Sequence, residues 1–337
     1  MEITASDKST LLAVIARFPR QHLVLLGDLV ADEFISGEIA RVSREAPVLI
    51  LKQREKKILP GGGANAANNL VDLGARVTPV SAVGIDEAGD ALVRGFREKN
   101  VSMRQVLRLK GYITPTKSRV LGVLSHGHPQ QIVRVDREPP EGLAPSVRRR
   151  LTNAAASALD KASALLVSDY GYGVTGAAEV DWLRRNRQGR SLTLTVDSRY
   201  DFSAYSHVTA ATPNEPEVEE ACGERIGNHL DALHRVGKRI LRRQSLEALL
   251  VTRGREGMAL FQPHRAPLHL PIFGSDQVAD VTGAGDTVIA AFTLAVAAGA
   301  SFRDAAMIAN CAAGLVVMKR GTATVTRSEL EEAIRNA

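Results

Sequence analysis

The chain contains few of the residues that stabilise secreted or metal-rich proteins. Its 337 residues include two cysteines, Cys222 and Cys311, which lie far apart and have no partner at a ligand-like spacing. This pattern indicates reduced, packed thiols in a cytosolic protein rather than a disulfide framework. The first ten residues have no basic-then-apolar signal pattern, and no apolar run reaches membrane-spanning length. We therefore expect a soluble, cytoplasmic protein with no membrane partner.

Two common nucleotide-binding motifs are also absent. No strand near the N-terminus leads into Gly-x-Gly-x-x-Gly, so a Rossmann dinucleotide site fits poorly. The P-loop pattern Gly-x-x-x-x-Gly-Lys-Ser/Thr does not occur either. Any nucleotide site in this chain must therefore be of another type.

Aromatic residues are scarce, at 4%, and the positive charge is dispersed. The formal net charge is +6, but the densest basic groups, Arg148–Arg150 and Arg242-Arg243, fall in helix-like stretches, where a solvated face is expected. No aromatic residues accompany them, which disfavours nucleic-acid binding. Apolar residues at 45% and charged residues at 24% are typical of a globular domain. Small anionic substrates suit this charge better than nucleic acid.

The order of apolar segments predicts an α/β fold. From Pro145 onward helix-like and strand-like segments alternate, which indicates a parallel sheet with right-handed crossovers. The pattern also predicts a helix over 11–18, a strand over 101–109 and a last core helix over 302–319.

Two other segments, about 33–60 and 112–136, alternate β-branched and charged residues. The second is broken by a turn at 125–129, as in a hairpin. We interpret both as one small β lid with an exposed face, built from separate insertions. Pairing of two such lids in a homodimer would cover their open edges.

The most informative segment is Asp280-Val281-Thr282-Gly283-Ala284-Gly285-Asp286, which precedes a small, apolar helical run. Two glycines and an alanine open this helix, so bare backbone N–H groups and the helix dipole create an anion site. Asp286 adds a carboxylate that can take the proton of a hydroxyl while the amides hold a transferring phosphoryl group. The segment therefore predicts phosphoryl transfer to a hydroxyl.

Polar residues follow the first buried strand and open the next helix. Asp28 and Asp32 lie at the carboxyl edge of the predicted sheet, where open α/β folds bind ligands, although either aspartate alone can be a cap. Gly61, Gly62 and Gly63 would let a ligand approach the backbone closely. Asn65 offers a donor and an acceptor for sugar hydroxyls, or is an ordinary asparagine of a helix N-terminus.

Later strands are followed by further candidate ligands. Asp169 and Arg199 each follow a predicted strand. Asn214 and Glu217 have the spacing of a capping box, and they also suit a Mg²⁺ ion held through water. The turn after Thr252, from Arg253 to Gly257, is either a ligand-contacting loop or a plain hairpin.

Together these motifs resemble the ribokinase-like family of carbohydrate kinases, over about Val24 to Leu330. The resemblance implies a single domain over 1–337, a three-layer sandwich with a central, mostly parallel sheet and a small β lid. It implies an anion hole at Gly283, Ala284 and Gly285, with Asp286 as catalytic base. It further implies Mg²⁺ and phosphate near Asn214 and Glu217, ATP at Thr252, Gly254, Gly257 and Asn310, and a monovalent cation, usually K⁺, at Asp280 and Thr282.

Within the family the resemblance is to the kinases of D-glycero-β-D-manno-heptose 7-phosphate, which form the 1,7-bisphosphate. It rests on Ser43-Arg44-Glu45-Ala46-Pro47-Val48, on residues 130–136, and on the segments around Asp28 and Asp169. It implies that Asp28, Asp32, Gly61–Gly63, Asn65 and Asp169 bind the sugar. The candidates for the 7-phosphate are Lys117, Arg119, Arg134 and Arg199, because guanidinium groups match phosphate geometry. We therefore predict an ATP- and Mg²⁺-dependent kinase that phosphorylates the anomeric hydroxyl of this heptose.

Two departures from that subfamily keep alternatives open. Tyr172 stands where a lysine is usual, and Asp197-Ser198-Arg199 replaces Asp-Pro-Lys. The lost charge at Tyr172 favours a kinase of another sugar, sugar phosphate or nucleoside. A catalytically idle sugar- or nucleotide-binding regulator is the alternative from a different class. Some relatives carry a second, nucleotidyl-transferring domain; since this chain ends at Ala337, we expect it to perform the phosphorylation step alone.

Overall fold

The computed structural model describes residues 3–123, 129–186, 192–227, 229–274 and 279–337. The strands are β1 His22–Gly27, β2 Leu29–Val42, β3 Leu49–Gly62, β4 Arg76–Gly84, β5 Val106–Leu109, β6 Thr116–Val123, β7 Gln130–Arg137, β8 Ala164–Asp169, β9 Thr193–Ser198, β10 Ala210–Ala211, β11 Ala248–Thr252, β12 Met258–Phe261 and β13 Leu268–Leu270. The α-helices are α1 Ala5–Ile15, α2 Gly63–Asp72, α3 Glu87–Glu98, α4 Pro145–Leu159, α5 Ala177–Arg185, α6 Glu215–Cys222, α7 Leu230–Arg243, α8 Ala284–Ala297, α9 Phe302–Val316 and α10 Arg327–Asn336. Among the described residues, none of these helices has the length and apolar character needed to cross a membrane.

The main sheet has the strand order β13-β12-β11-β10-β9-β8-β1-β4-β5 within the described part of the chain. The strands from β11 to β5 are parallel to their neighbours, while β12 and β13 continue the sheet antiparallel. The turn from β11 to β12 is the hairpin that the sequence offered as one interpretation.

Apolar residues cover both faces of this sheet. In β1, Leu23 and Leu25 join one buried cluster, and Val24 and Leu26 join the other, as the alternation of side chains in a strand requires. The helical residues of the first cluster come from α1, α2, α3, α8, α9 and α10, and those of the second come from α4, α5, α6 and α7. The predicted three-layer α/β sandwich is confirmed.

A second sheet has the order β3-β2-β6-β7 among the described residues. Strands β2 and β3 are antiparallel, β6 runs parallel to β2, and β7 returns antiparallel to β6. It is built from the two segments that the alternation pattern identified. The turn predicted at 125–129 lies outside the described residues except for Pro129.

Three predicted boundaries were wrong. The first helix covers Ala5–Ile15 rather than 11–18, because the Thr4 hydroxyl and the Asp7 carboxylate form a capping box at its start. The strand predicted over 101–109 begins at Val106, and the helix predicted over 302–319 ends at Val316.

Candidate active site

Parallel strands bring the polar residues of five loops to one edge of the main sheet. The loops after β8, β9, β10 and β11 and the start of α8 surround a cavity of about 610 Å³, here called the central cavity. Its lining includes Tyr170, Asp197, Arg199, Asn214, Glu217, Thr252, Gly254, Gly283, Gly285 and Asp286. Ligands of open α/β sheets bind at this edge.

Helix α8 begins in the central cavity at a glycine in the left-handed region. Gly283 has φ +78° and is the N-cap of α8, and a Cβ placed on it would meet the Asn65 amide nitrogen. Gly285 and Asp286 lie in the first turn, where N–H groups have no partner within the helix. The Ala284 N–H instead donates to the Val281 carbonyl at 3.2 Å, so one of the three amides predicted to form an anion hole at 283–285 is already engaged within the loop.

Asp286 is a buried carboxylate held from two sides. Its Oδ2 accepts from the Asn65 side-chain amide at 3.0 Å, and its Oδ1 accepts from the Tyr170 hydroxyl at 2.8 Å. Burial raises the pKa of Asp286 to about 7, although the hydrogen bonds from Asn65 and Tyr170 oppose the rise. A general base is most effective with a pKa near the working pH, so this environment suits proton abstraction.

The Asn65 side chain forms its hydrogen bonds with other protein groups, including Asp286. It is fully buried on α2, and its amide also donates to the Gly283 carbonyl at 3.3 Å. Asn69, one turn later, donates to the Asn65 side-chain oxygen at 3.3 Å and accepts from Thr287 of α8 at 3.2 Å. These hydrogen bonds form a network that ties α2 to Asp286, while the contact with sugar hydroxyls predicted for Asn65 stays a prediction.

Asp28 and Asp169 shape the loops of the site. Both Asp28 oxygens accept backbone N–H groups of residues 170–174, and burial raises its pKa to about 7. Asp169 accepts from Ser198, Tyr205 and the Gly171 N–H. Both carboxyl groups thus hold the loops of the site in place, while the sugar contacts predicted for them stay predictions.

Asp32 lies on the four-stranded sheet beside the central cavity. Its carboxylate pairs with the Arg119 guanidinium and accepts from the Thr322 hydroxyl at 2.7 Å. A Cβ on Gly61 would contact this carboxylate, so the glycine leaves room for it. Gly62 ends β3 and Gly63 begins α2, where the Gly63 N–H donates to the Asp28 carbonyl at 3.1 Å.

Three of the four predicted phosphate ligands share one face of the four-stranded sheet. Asp32, Lys117 and Asp136 stand opposite one another on β2, β6 and β7, and Phe34, Arg119 and Arg134 form the next row. Asp136 accepts ion pairs from both Lys117 and Arg134, at 3.4 and 2.9 Å. Three cations therefore face two carboxylates, which leaves an excess positive charge on this face.

Arg199, the fourth predicted phosphate ligand, lies elsewhere. It lines the central cavity together with Asp197, Glu217 and Asp286; burial raises the pKa of each of these three acids, and the positive charge of Arg199 opposes the rise. Arg199 thus lies beside the start of α8, apart from the three cations of the four-stranded sheet, and its contact with the 7-phosphate stays a prediction.

The Asn214–Glu217 pair forms the capping box of α6. The Asn214 side chain accepts the Glu217 N–H, and Glu217 accepts the Asn214 N–H, both at 2.9 Å. The capping interpretation is thus confirmed. The pair nevertheless lines the central cavity, so the cap and a ligand role do not exclude each other.

The central cavity also brings together carboxyl groups whose ionised forms a cation would stabilise. Burial raises the pKa of Asp197 well above its ordinary value, and the Glu217 carboxylate adds to this rise. Within the described ranges, no three His, Cys, Asp or Glu side chains stand close enough to chelate a metal directly. Separated carboxylates in one polar cavity fit a hydrated Mg²⁺, which usually keeps several waters.

A second cavity, of about 210 Å³, adjoins the central one and is here called the apolar cavity. The two share Thr252, Gly254, Val281 and Gly285. Gly257, Met258, Ile272, Phe273, Val288, Asn310, Ala313, Gly314 and Val317 complete most of its lining. Asn310 donates to the Pro271 carbonyl at 2.8 Å. An apolar slot that opens onto a polar cavity matches a base followed by its phosphates.

Asp280 and Thr282 lie at the start of the α8 loop. Asp280 accepts the N–H groups of Thr282 and Gly321, each at 2.9 Å. Although burial opposes it, these bonds hold the pKa of Asp280 below its ordinary value, so the carboxylate is ionised. An ionised carboxylate suits the predicted monovalent cation.

Sequence reasoning missed three residues of the site. Tyr170 contacts Asp286, Asp197 lies in the central cavity, and Thr322 contacts Asp32. Tyr170 directly follows β8, and Asp197 is the next-to-last residue of β9. Their positions at the carboxyl ends of these strands were a usable signal. Thr322, 290 residues from Asp32, offered none.

Comparison with known proteins shows the family to which the chain belongs. Residues 22–329 match the profile described as "pfkB family carbohydrate kinase". The chain is 39% identical over 313 residues to the "Bifunctional protein HldE" of Geobacter sulfurreducens, covering 92% of this chain and 62% of that protein. A protein of the same name from Salmonella arizonae is 38% identical, with 94% and 64% covered. The chain thus spans less than two thirds of the length of these relatives.

Solved structures share the fold at lower identity. The Arabidopsis thaliana ribokinase complexed with ribose and ATP superposes with a TM-score of 0.71 at 20% identity, covering 94% of this chain and 99% of that one. The Escherichia coli phosphofructokinase-2 in complex with potassium has a TM-score of 0.75 at 17% identity, covering 94% and 98%.

Proposed function

Because this chain belongs to the pfkB family and is an ATP-dependent carbohydrate kinase, we propose that it phosphorylates the anomeric hydroxyl of a heptose 7-phosphate. D-glycero-β-D-manno-heptose 7-phosphate would be converted to the 1,7-bisphosphate. The identity to the two HldE proteins supports this substrate. Since the chain spans only part of those relatives, no further activity of theirs is assigned to it.

The observation that carries the proposal is the position of Asp286. This carboxylate lies in the first turn of α8, in the cavity that adjoins the apolar cavity on one side. On the other side, the Asp32 carboxylate is close enough to raise its pKa, and Asp32 belongs to the cationic face of the four-stranded sheet. A hydroxyl between these features would meet the base and the anion hole together.

Different residues would serve proton transfer and charge stabilisation in the reaction. Asp286 takes the proton of the anomeric hydroxyl, whose oxygen then bonds to the γ-phosphorus of ATP as the bond to the β-phosphate oxygen breaks. The amides of Gly285 and Asp286 and the Arg199 guanidinium stabilise the negative charge of the transferring group. Mg²⁺, when bound through water near Asp197, Asn214 and Glu217, neutralises phosphate charge. Asp280 and Thr282 would hold a K⁺ ion beside the start of α8.

The four-stranded sheet would act as a lid over the sugar. Its face with Asp32, Lys117 and Arg134 carries excess positive charge, because three cations there pair with two carboxylates. Closure would exclude water, which otherwise accepts the phosphoryl group.

A panel of sugars and sugar phosphates with MgATP tests the proposed substrate. ADP release identifies the accepted sugar, and ³¹P NMR of the product identifies the phosphorylated position. Heptose 7-phosphate should give the highest kcat/KM and an anomeric phosphate. Preference for an unphosphorylated sugar, or phosphorylation elsewhere on the ring, would contradict the proposal.

Arg134→Ala should raise KM for the 7-phosphate by about 10- to 100-fold, because a charge-assisted hydrogen bond is worth about 1.5–3 kcal/mol. KM for the same heptose without its phosphate should hardly change. Arg137→Ala is the matched control, since Arg137 lies on the same strand but pairs with Glu33 instead. Equal effects on both substrates would show that Arg134 does not bind the 7-phosphate.

One observation favours another phosphorylated or neutral sugar as the alternative substrate. The Tyr172 hydroxyl donates to the Glu138 carboxylate at 2.8 Å, where a lysine would supply positive charge. The same panel separates the two possibilities.

The four-stranded sheet also favours a homodimer. Val133 and Val135 on β7 are 47% and 52% exposed, and their side of the sheet is opposite to the cationic face. A partner lid would bury them and cover the strand edges.

Val135→Asp should therefore weaken dimerisation by about tenfold or more, because a charge would enter the buried centre of an interface. Leu230→Asp, at an exposed leucine of α7, is the control. Sedimentation velocity over a concentration series measures both. A monomeric wild type, or an undisturbed Val135→Asp dimer, would exclude this interface.

A further inference from the structure

Two side chains hold the carboxylate of Asp286, one from helix α2 and one from the loop after β8. Asn65 contacts Oδ2 from α2, while the Tyr170 hydroxyl contacts Oδ1 at 2.8 Å from the loop after β8. Tyr170 also lines the central cavity. A rotation of the carboxylate would break both hydrogen bonds, so together they fix its orientation.

The loop that carries Tyr170 is built around a buried carboxyl group. Asp28 accepts the N–H groups of Tyr170, Tyr172 and Val174, at 2.8, 3.2 and 3.2 Å. Gly171 lies between the two tyrosines with φ +78°, a backbone conformation that glycine adopts without strain. As a result the Tyr170 hydroxyl donates to Asp286, whereas the Tyr172 hydroxyl donates to Glu138.

We infer that Tyr170 is a positioning residue for Asp286, holding its carboxylate toward the central cavity and stabilising its ionised form. The inference rests on the proposed role of Asp286 as the base. Tyr170 is the donor of the pair, because burial and the Asp286 charge raise the pKa of the phenol well above its ordinary value. It therefore takes no proton from the substrate.

The charged groups around Asp286 set the direction of the expected effect. Burial and the Asp32 carboxylate raise its pKa, whereas Asn65, Tyr170 and Arg199 lower it. Asp197 is a further carboxylate that interacts with Asp286. Loss of the Tyr170 hydroxyl removes one lowering contribution, so the pKa of Asp286 should rise above about 7.

Tyr170→Phe should therefore move the acidic limb of kcat/KM to higher pH by about one unit or more, as expected for losing a hydrogen bond to a charged group. Turnover should fall several-fold at pH 7 and recover toward wild type near pH 9. Tyr172→Phe is the matched control, because it removes a hydroxyl from the same loop whose partner is Glu138. Its acidic limb should stay in place.

A second measurement does not depend on turnover. The ¹³C carboxyl signal of Asp286, assigned by its loss in Asp286→Asn, should titrate at higher pH in Tyr170→Phe than in wild type. An unmoved titration, or a loss of activity by the same factor at every pH, would overturn the inference. If no sugar is phosphorylated, the proposed function fails, while this titration still tests the link between Tyr170 and Asp286.

Discussion

Asp286→Asn should lower kcat by about 10²- to 10⁴-fold, the usual contribution of a general base. The amide of asparagine cannot take the hydroxyl proton, although it has nearly the same size and still accepts the Tyr170 hydroxyl bond. The apolar cavity does not include Asp286, so the affinity for ATP should be nearly unchanged. Steady-state kinetics and calorimetric titration with ATP measure the two quantities separately.

The pH dependence of kcat/KM is a second test of Asp286 as the base. Burial raises the pKa of Asp286 to about 7, and only the ionised form accepts a proton. Wild-type kcat/KM should therefore fall as the pH drops through about 7, and the residual activity of Asp286→Asn should lack this acidic limb. Near-normal turnover in the variant, or an identical pH profile, would show that Asp286 is not the base.

The elements of the core were predictable because local signals agreed with the tertiary structure. The alternation of helices and strands from Pro145 onward matches the sequence prediction, since turn residues and hydrophobic periodicity mark the same elements. The position of Asp286 at the start of α8 was predictable for a similar reason, because two glycines and an alanine precede the small, apolar run of that helix. Each signal lay within a few residues of the position it identified.

The partners of the site side chains were not predictable in this way. Asn65 contacts Asp286 across 221 residues, and Tyr170 contacts it across 116. A single sequence shows which groups can donate and accept, but not which of them the fold brings together. Arg199 illustrates this: its charge suggested a phosphate ligand, but only the fold shows that it lies beside Asp197, Glu217 and Asp286.

Gly283→Ala should lower kcat by about 100-fold, the cost that small misplacements of catalytic groups reach. The residue has φ +78°, so alanine costs about 1 kcal/mol in the left-handed region. Its methyl group would also collide with the Asn65 amide, which holds Asp286. The carboxylate should lose a hydrogen bond and its orientation, so kcat should fall more than the affinity for ATP.

Gly223→Ala separates the two effects. Gly223 ends α6 with φ +63°, and a Cβ there has no atom within 4 Å, so this variant carries the backbone cost alone. It should lose about 1 kcal/mol of unfolding free energy and keep its kcat. If Gly283→Ala behaves in the same way, displacement of Asn65 does not disturb the base. If it loses turnover as expected, Gly283 is required for two reasons: it starts α8 in the conformation that exposes the amides, and it leaves room for the side chain that holds Asp286.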